Sequence, residues 1–459
     1  MLGILKKIIP RQIFEFFQPT YHYLLALVGA LLYSFPSRKL IVVGVTGTKG
    51  KSTTTELINS ILESAGYKTA LQNTVRFKIG EKESRNMYKM SMPGRFFMQN
   101  FLSDAVKAGC SHAVLELTSE GAKQFRHKFI DVDALIFTNL APEHIESHGS
   151  YEKYVEAKLS IARELEAGKQ KKFIEKVWPS SSSENRGLFK ETFSAYPALI
   201  INKDDKEAER FLNLKVKNKI TYSLSDAFNM HTSDSGSSFQ IDKTVIHSSL
   251  PGEFNVYNML GAIACAKFLG ISEEAIKKGL ENVHTVRGRM EKIELAVNPL
   301  RQLADGGFDV VVDYAHTPDS LKAVYETYKE TYIIAVLGNT GGGRDKWKRP
   351  MMAKIADDYC SEIILTNEDP YDEDPKQILE DMKKGVLKNK PEIIMDRRKA
   401  IRTAIKSALA KTKLNKEIKV AVLITGKGTD PYICGPNGTK EPWDDATVAR
   451  EELQKVLKL

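Results

Sequence analysis

Ten residues near position 50, Gly44-Val-Thr-Gly-Thr-Lys-Gly-Lys-Ser-Thr53, gather the groups that hold a triphosphate. Glycines let a backbone curl until its N–H groups face phosphate oxygens. A helix starting after the turn adds a favourable dipole. Lys51 can neutralise β/γ-phosphate charge, and the Ser52 hydroxyl can ligate Mg²⁺. Thr48, Lys49, Gly50, Lys51, Ser52 and Thr53 are thus the candidate nucleotide contacts. The general phosphate-loop pattern would have glycine where Val45 stands, so this is a narrower Thr-Gly-Thr-x-Gly-Lys-Ser form. Such a turn can be mere connection, but strand, turn and helix follow here in the order that a phosphate site requires. Glu116 closes a predicted strand on the loop's side of the sheet, where ligands of α/β sheets collect and a carboxylate suits Mg²⁺; a solvated strand-end glutamate is the plainer alternative. By residue type alone, His144 reads as structural, Lys158 as a surface lysine, and Asn255 and Asn258 as a helix cap and a surface amide.

These residues need elements to position them. Residues 40–45 read as a buried strand and 53–65 as a helix, with Leu57, Ile58, Ile61 and Leu62 on one face and Gly66 as its stop. Further strands are expected at 113–117, 134–137 and 198–201. A Ser-rich surface loop is expected at 180–183, short strands with turns over 226–249, and helices over 255–269 and 272–280. A second α/β series starts near Met290, with strands at 310–313, 333–337, 362–365 and 420–425. The alternation implies an α/β protein with mostly parallel sheets covered by helices. The expected architecture is a short helical N-terminal segment (1–39), a central parallel-sheet domain of phosphate-loop type (40–288) and a C-terminal Rossmann-like domain (289–459).

Composition narrows the class. The 459 residues are 42% hydrophobic and 27% charged, ordinary for a globular chain of several domains. The formal charge of +9 suits anionic substrates, yet no dense basic run with interleaved aromatics points to nucleic acid. Cys110, Cys265, Cys360 and Cys434 are widely spaced, which suggests neither a zinc site nor a disulfide framework and fits a reduced cytoplasm. The apolar run 24–33 is too short to span a bilayer. It reads as a helix packed on the next domain, the alternative being peripheral contact with a membrane surface.

Several stretches taken in order resemble the Mur ligases, most of all the MurE type. They are the Gly-Lys turn, Glu116-Leu-Thr-Ser119, Phe137-Thr-Asn-Leu140 with His144, His148-Gly149, Tyr154-Val-Glu-Ala-Lys158, Ile201-Asn-Lys-Asp-Asp205, Phe254-Asn-Val-Tyr-Asn258 and Gly288-Arg-Met-Glu291. The C-terminal set is Val312-Asp-Tyr-Ala-His-Thr-Pro-Asp319, Gly342-Gly-Arg-Asp-Lys346 with Lys348-Arg-Pro350, and Gly426-Lys-Gly428. The resemblance covers roughly residues 40–459, and the Asp-Tyr-Ala-His-Thr-Pro-Asp run is its most specific element. It implies an ATP-dependent ligase that phosphorylates a substrate carboxylate and lets an amine displace the phosphate. It also implies that Glu116 and His144 hold a second Mg²⁺ and that Lys158 is carbamylated, giving an anion that helps bind that metal. Asn255 and Asn258 would lie near adenine, and Arg289 and Asp313 would reach ATP when the domains close. The implied partners are UDP-muramoyl-dipeptide and a free amino acid, handled by a monomer in the cytoplasm during peptidoglycan precursor synthesis.

The chain departs from the family's pattern in places. About forty residues precede the loop, where the family carries a uridine-binding domain. Glu368-Asp369-Pro370-Tyr371 stands for the Asp-Asn-Pro-Arg of diaminopimelate-adding members, so Tyr371 replaces the arginine that would clamp a distal carboxylate. Gly426-Lys-Gly-Thr-Asp430 stands for Gly-Lys-Gly-His-Glu, leaving Asp430 to pair with a substrate ammonium. Arg344 is expected on the amino acid's α-carboxylate, and Asp369 is a further expected substrate contact. On the acceptor side, Ser119 and Arg126 match dipeptide contacts, and Ser91-Met-Pro93 replaces Thr-Thr-Pro. The added amino acid is diaminopimelate, lysine or another amino acid. The alternatives are a related ligase for a poly-γ-glutamyl, folate-type or lipid-linked carboxylate, and a non-catalytic ATP-binding regulatory subunit.

Overall fold

The computed structural model describes residues 11–168, 171, 177–178, 189–190, 196–295 and 307–458. The Ser run at 180–183 lies outside the described residues. The chain divides into two compact units. The first holds the described residues of Met1–Leu140, Val155–Asp226 and Asn258–Gly279, and the second those of Ala141–Tyr154, Ala227–Tyr257 and Leu280–Leu459.

The first unit begins with helix α1 (Arg11–Leu32). Strand β1 (Ile41–Thr46) is followed by α2 (Lys51–Ser64), β2 (Thr69–Gln72), β3 (Arg76–Ile79), β4 (Lys82–Arg85), α3 (Arg95–Lys107), β5 (His112–Glu116) and β6 (Ala134–Phe137). Then come α4 (Tyr151–Arg163), β7 (Ala198–Asn202), β8 (Asn218–Tyr222), α5 (Glu253–Phe268) and α6 (Glu273–Glu281); residues 151–154 of α4, 253–257 of α5 and 280–281 of α6 are counted with the second unit. The sheet order is β8-β7-β6-β1-β5-β2-β3-β4, parallel as far as β2, with β3 and β4 forming an antiparallel edge. Strands β5, β6 and β7 are buried at every residue, as strands covered on both faces must be. Register sets the site: Val45 lies beside both Glu116 and Ile136, so the carboxyl ends of β1, β5 and β6 finish level.

Helix α2 buries Leu57, Ile58, Ile61 and Leu62, the face read from the sequence. Its end is a Schellman turn. The Tyr67 N–H donates to the Leu62 carbonyl at 3.0 Å, across Gly66 at φ 86°.

The second unit carries a three-stranded antiparallel sheet, β9 (Phe228–Ser233), β10 (Gly236–Ile241) and β11 (Thr244–Ser248). Its larger sheet uses β12 (Glu291–Lys292), β13 (Phe308–Asp313), β14 (Tyr332–Leu337), β15 (Glu362–Leu365), β16 (Glu392–Ile393) and β17 (Val420–Thr425), in the order β12-β13-β17-β14-β15-β16. All neighbours are parallel except β12 on β13. Strand alternation splits its core in two. Val311, Ile333, Ala335 and Leu423 face α7 (Pro318–Thr327), α8 (Lys348–Tyr359) and α9 (Pro375–Lys383). Val312, Ile334, Val336 and Val422 face α10 (Arg397–Leu414) and α11 (Asp445–Leu457). This is the doubly wound arrangement expected of an α/β alternation.

Candidate functional site

In the first unit, the turn between β1 and α2 is held from several sides. The Thr48 N–H donates to the Asn139 carbonyl at 2.8 Å, and the Lys49 N–H to Asn139 Oδ1 at 2.9 Å. Thr138 Oγ1 donates to the Lys49 carbonyl at 2.7 Å. Two glycines are needed by position. Gly47 has φ 148°, and a Cβ there would run into the Thr138 hydroxyl. Gly50 has φ 81°, and a Cβ there would run into Asn258 Oδ1. Asn258 itself accepts from Thr54 Oγ1 at 3.3 Å, so this asparagine sits against the turn rather than on the surface.

Within the turn, Lys51 Nζ donates to the Thr48 carbonyl at 2.8 Å. Ser52 and Thr53, in the first turn of α2, are buried. Lys158 is also buried and donates to the Gly47 carbonyl at 2.6 Å, which corrects its reading as a surface lysine.

Glu116 is the hub. Its Oε2 accepts from Ser52 Oγ at 2.8 Å and the Thr74 N–H at 2.9 Å; its Oε1 accepts from Thr74 Oγ1 and Ser91 Oγ, both at 2.9 Å. Burial alone would raise its pKa. The Lys51 charge and the hydrogen bonds from Thr74, Ser52 and Ser91 outweigh that and hold the carboxyl below its ordinary value. Glu116 is 2% exposed, so it is no solvated strand end. Ser91, expected on the acceptor substrate, is bound to this carboxylate. Arg126 donates to the Met92 carbonyl and, at 2.7 Å, to Gln124 Oε1, while Ser119 is buried at the start of the short helix Ser119–Lys123.

The remaining expected residues lie in the second unit. His144 has φ 55° and precedes the short helix Ile145–His148, its ring 6.5 Å from that of Tyr154. Asn255 Nδ2 donates to the Pro251 carbonyl at 2.8 Å. Asp313, at the end of β13, accepts from the N–H groups of Met290 at 2.8 Å and Ala315 at 2.6 Å. The Arg289 guanidinium lies 4.6 Å from the Tyr314 ring centroid. His316, within the Asp-Tyr-Ala-His-Thr-Pro-Asp run, bridges the Tyr314 carbonyl at 2.6 Å and Glu143 Oε1 at 2.8 Å.

A second cluster surrounds Lys427. This buried ammonium donates to both Asp369 oxygens at 2.9 and 3.0 Å, to the Tyr432 carbonyl, and to Asp430 Oδ2 at 3.5 Å. The Cys434 N–H adds a bond to Asp369 at 2.7 Å. Arg344 lies 5.9 Å from the Tyr371 ring. Burial would lower its pKa, but Tyr371, Tyr314, Asp369 and Asp430 raise it, so this cation faces an anionic neighbourhood. Gly426 has φ 105°, and a Cβ there would strike the Glu368 carboxylate. Lys427, Glu368, Asn139, Thr138 and Thr74 are not among the site residues expected from sequence. Lys427, Asn139 and Thr138 do fall inside stretches that carry the family resemblance, the one signal that points to them.

Among the described residues, no three His, Cys, Asp or Glu side chains gather as a metal cluster. The Ser52–Glu116 pair nonetheless supplies hard oxygen donors of the kind Mg²⁺ takes, beside a lysine and a glycine turn suited to phosphate. The residues fit the group.

Comparison with known proteins bears on both units. Residues 45–176 and 183–266 match the model of the Mur ligase middle domain, and residues 288–428 that of the Mur ligase, glutamate ligase domain. A UDP-N-acetylmuramoyl-L-alanyl-D-glutamate–2,6-diaminopimelate ligase of Halalkalibacterium halodurans is 32% identical over 444 residues, covering 94% of this chain and 82% of its own. The Clostridium tetani protein of that name is 34% identical over 447 residues, covering 94% and 81%. A solved structure of a ligase with this name superposes with a TM-score of 0.55 at 29% identity, over 91% of this chain and 78% of the other. A Mycobacterium tuberculosis folylpolyglutamate synthase superposes at 0.63 with 15% identity, over 87% and 91%, which is a likeness of fold.

Proposed function

Because the chain belongs to the Mur ligase family, whose members are ATP-dependent and form amide bonds, we propose that it joins an amino acid to the D-glutamate carboxylate of UDP-N-acetylmuramoyl-L-alanyl-D-glutamate. The added amino acid in this reading is diaminopimelate or a lysine-like relative, and the product is a peptidoglycan precursor. The observation that carries the proposal is the buried Glu116 carboxylate bound to Ser52, with the Lys51 charge acting on it, at the foot of a glycine turn.

In this reading Thr48, Lys49, Gly50, Lys51, Ser52 and Thr53 bind the ATP phosphates. The substrate carboxylate attacks the γ-phosphorus, forming an acyl-phosphate and ADP. The incoming amine then attacks the acyl carbon and inorganic phosphate leaves with one carboxylate oxygen. Lys51 draws off charge as it builds on the transferred group. Mg²⁺, when bound through Ser52, Glu116, His144 and a carbamylated Lys158, supplies further charge neutralisation. No side chain serves as a nucleophile, so positioning and electrostatics do the catalytic work.

Asn255, Asn258, Arg289 and Asp313 complete the nucleotide contacts of the proposal, and Ser91, Ser119 and Arg126 the acceptor contacts. Arg344, Asp369, Tyr371, Gly426 and Asp430 receive the amino acid. The Lys427 bonds to Asp369 and Asp430 support a role for these two carboxylates in shaping that site. The proposal keeps a central domain of 40–288 and a C-terminal domain of 289–459, a monomer, a cytoplasmic setting, and peripheral contact of the N-terminal helix with a membrane.

The test is mass spectrometry of products formed from UDP-muramoyl-dipeptide, ATP, Mg²⁺ and a mixture of amino acids. The expected product has the acceptor's mass plus one amino acid minus water, with one ADP per product. ATP hydrolysis with no condensed product would refute the substrate assignment.

A further inference from the structure

Helix α1 shows two unlike faces. Ala26 and Ala30 are buried, and Gly29 lies against Phe96 and the Arg95 carbonyl of α3. His22 Nδ1 meets Arg95 Nη2 at 2.6 Å, and the Tyr23 ring lies 5.2 Å from that of Phe129. On the other side Tyr21, Leu24, Val28, Leu31 and Leu32 are 41–67% exposed. At 3.6 residues per turn these five fall within an arc of about 100°, running about 16 Å along the helix. Large apolar side chains aligned on one exposed stripe are not the scattered singles of an ordinary surface.

Residues 16–37 contain no Asp, Glu, Lys or Arg. The flanks are basic. Lys6, Lys7 and Arg11 precede this stretch and Lys39 follows it, against the acid Glu15; the neighbouring Arg38 is paired with Asp131 at 3.2 Å. No helix among the described residues is long and apolar enough to cross a membrane. One face of α1 is in any case committed to packing on α3.

We propose that the exposed stripe of α1 docks this protein flat on an anionic lipid bilayer, with the apolar side chains entering the headgroup boundary and the flanking cations meeting lipid phosphates. Apolar insertion combined with basic flanks is the pattern of interfacial helices that respond to lipid charge. A second copy of the chain would gain from the apolar stripe but not from flanks that carry the same positive sign. The inference rests on the membrane contact proposed for this helix and on nothing in the ligase chemistry.

The test is flotation of the full chain with vesicles of phosphatidylcholine containing 30% phosphatidylglycerol, and with phosphatidylcholine alone, alongside light scattering without vesicles. The protein should float with the anionic vesicles at least several-fold more than with the neutral ones. The double variant Leu24→Glu/Val28→Glu should lose flotation while keeping its melting temperature and its ADP release. Equal flotation of wild type and variant, or no flotation of a well-folded wild type, would overturn the proposal. So would a dimer that the double variant splits, because the stripe would then be covered by another copy. Loss of ligase activity with flotation intact would strike the ligase reading alone.

Discussion

Lys51, Lys158 and Glu116 converge on the turn at residue 50, and each is held by named bonds. Replacing Lys51 or Lys158 with alanine should lower ADP release in the presence of both substrates by roughly 10²–10³-fold, the scale for losing one preorganised charge-stabilising group. Near-normal turnover of either variant would contradict the assignment. Glu116 makes a pH prediction. Its folded pKa lies below its unfolded value near 4.3, so its stabilising effect is present above that range and fades as pH falls through the folded value. The stability difference between wild type and Glu116→Gln, measured by urea unfolding, should therefore shrink from pH 7 to pH 3. A difference constant with pH would refute it. At Lys427, a methionine would leave Asp369 buried without its main counter-charge and should cost about 3–5 kcal/mol, with Asp369→Asn/Lys427→Met recovering part of the loss.

At the scale of elements, the level carboxyl ends of β1, β5 and β6 bring the turn, Glu116 and Asn139 together. The strands read at 134–137, 362–365 and 420–425 agree with the observed bounds, and 40–45 is off by one residue. These are apolar runs bounded by turns, the pattern a buried strand writes most clearly. Helix α2 was expected from Thr53 but begins at Lys51, because Gly50 in a left-handed conformation serves as its cap. What stayed illegible was long-range pairing. Ser91 to Glu116 spans 25 residues and Lys427 to Asp369 spans 58, and no local pattern encodes either. Gly50→Ala, which sets a Cβ against Asn258 at a strained φ, should cost about 1–3 kcal/mol locally. Calorimetry should show it as weaker ATP binding together with a melting transition lowered by a few degrees.

Over the whole molecule, two doubly covered sheets were readable from strand–helix alternation, and the phosphate turn was readable from its own residues. The burial of Lys158 was not, because a lysine's residue type alone suggests the surface. The metal-binding parts proposed for it and for His144 rest on the family resemblance. The central claim is that a substrate carboxylate takes phosphate from ATP before an amine displaces it. It is tested most directly by supplying the acceptor with ¹⁸O in its D-glutamate side-chain carboxylate, together with ATP, Mg²⁺ and the amino acid that supports turnover, and analysing the released phosphate by mass spectrometry. The account predicts one ¹⁸O atom in each phosphate, matched by loss of one from the new amide. Phosphate free of label, released alongside an amide product, would contradict it.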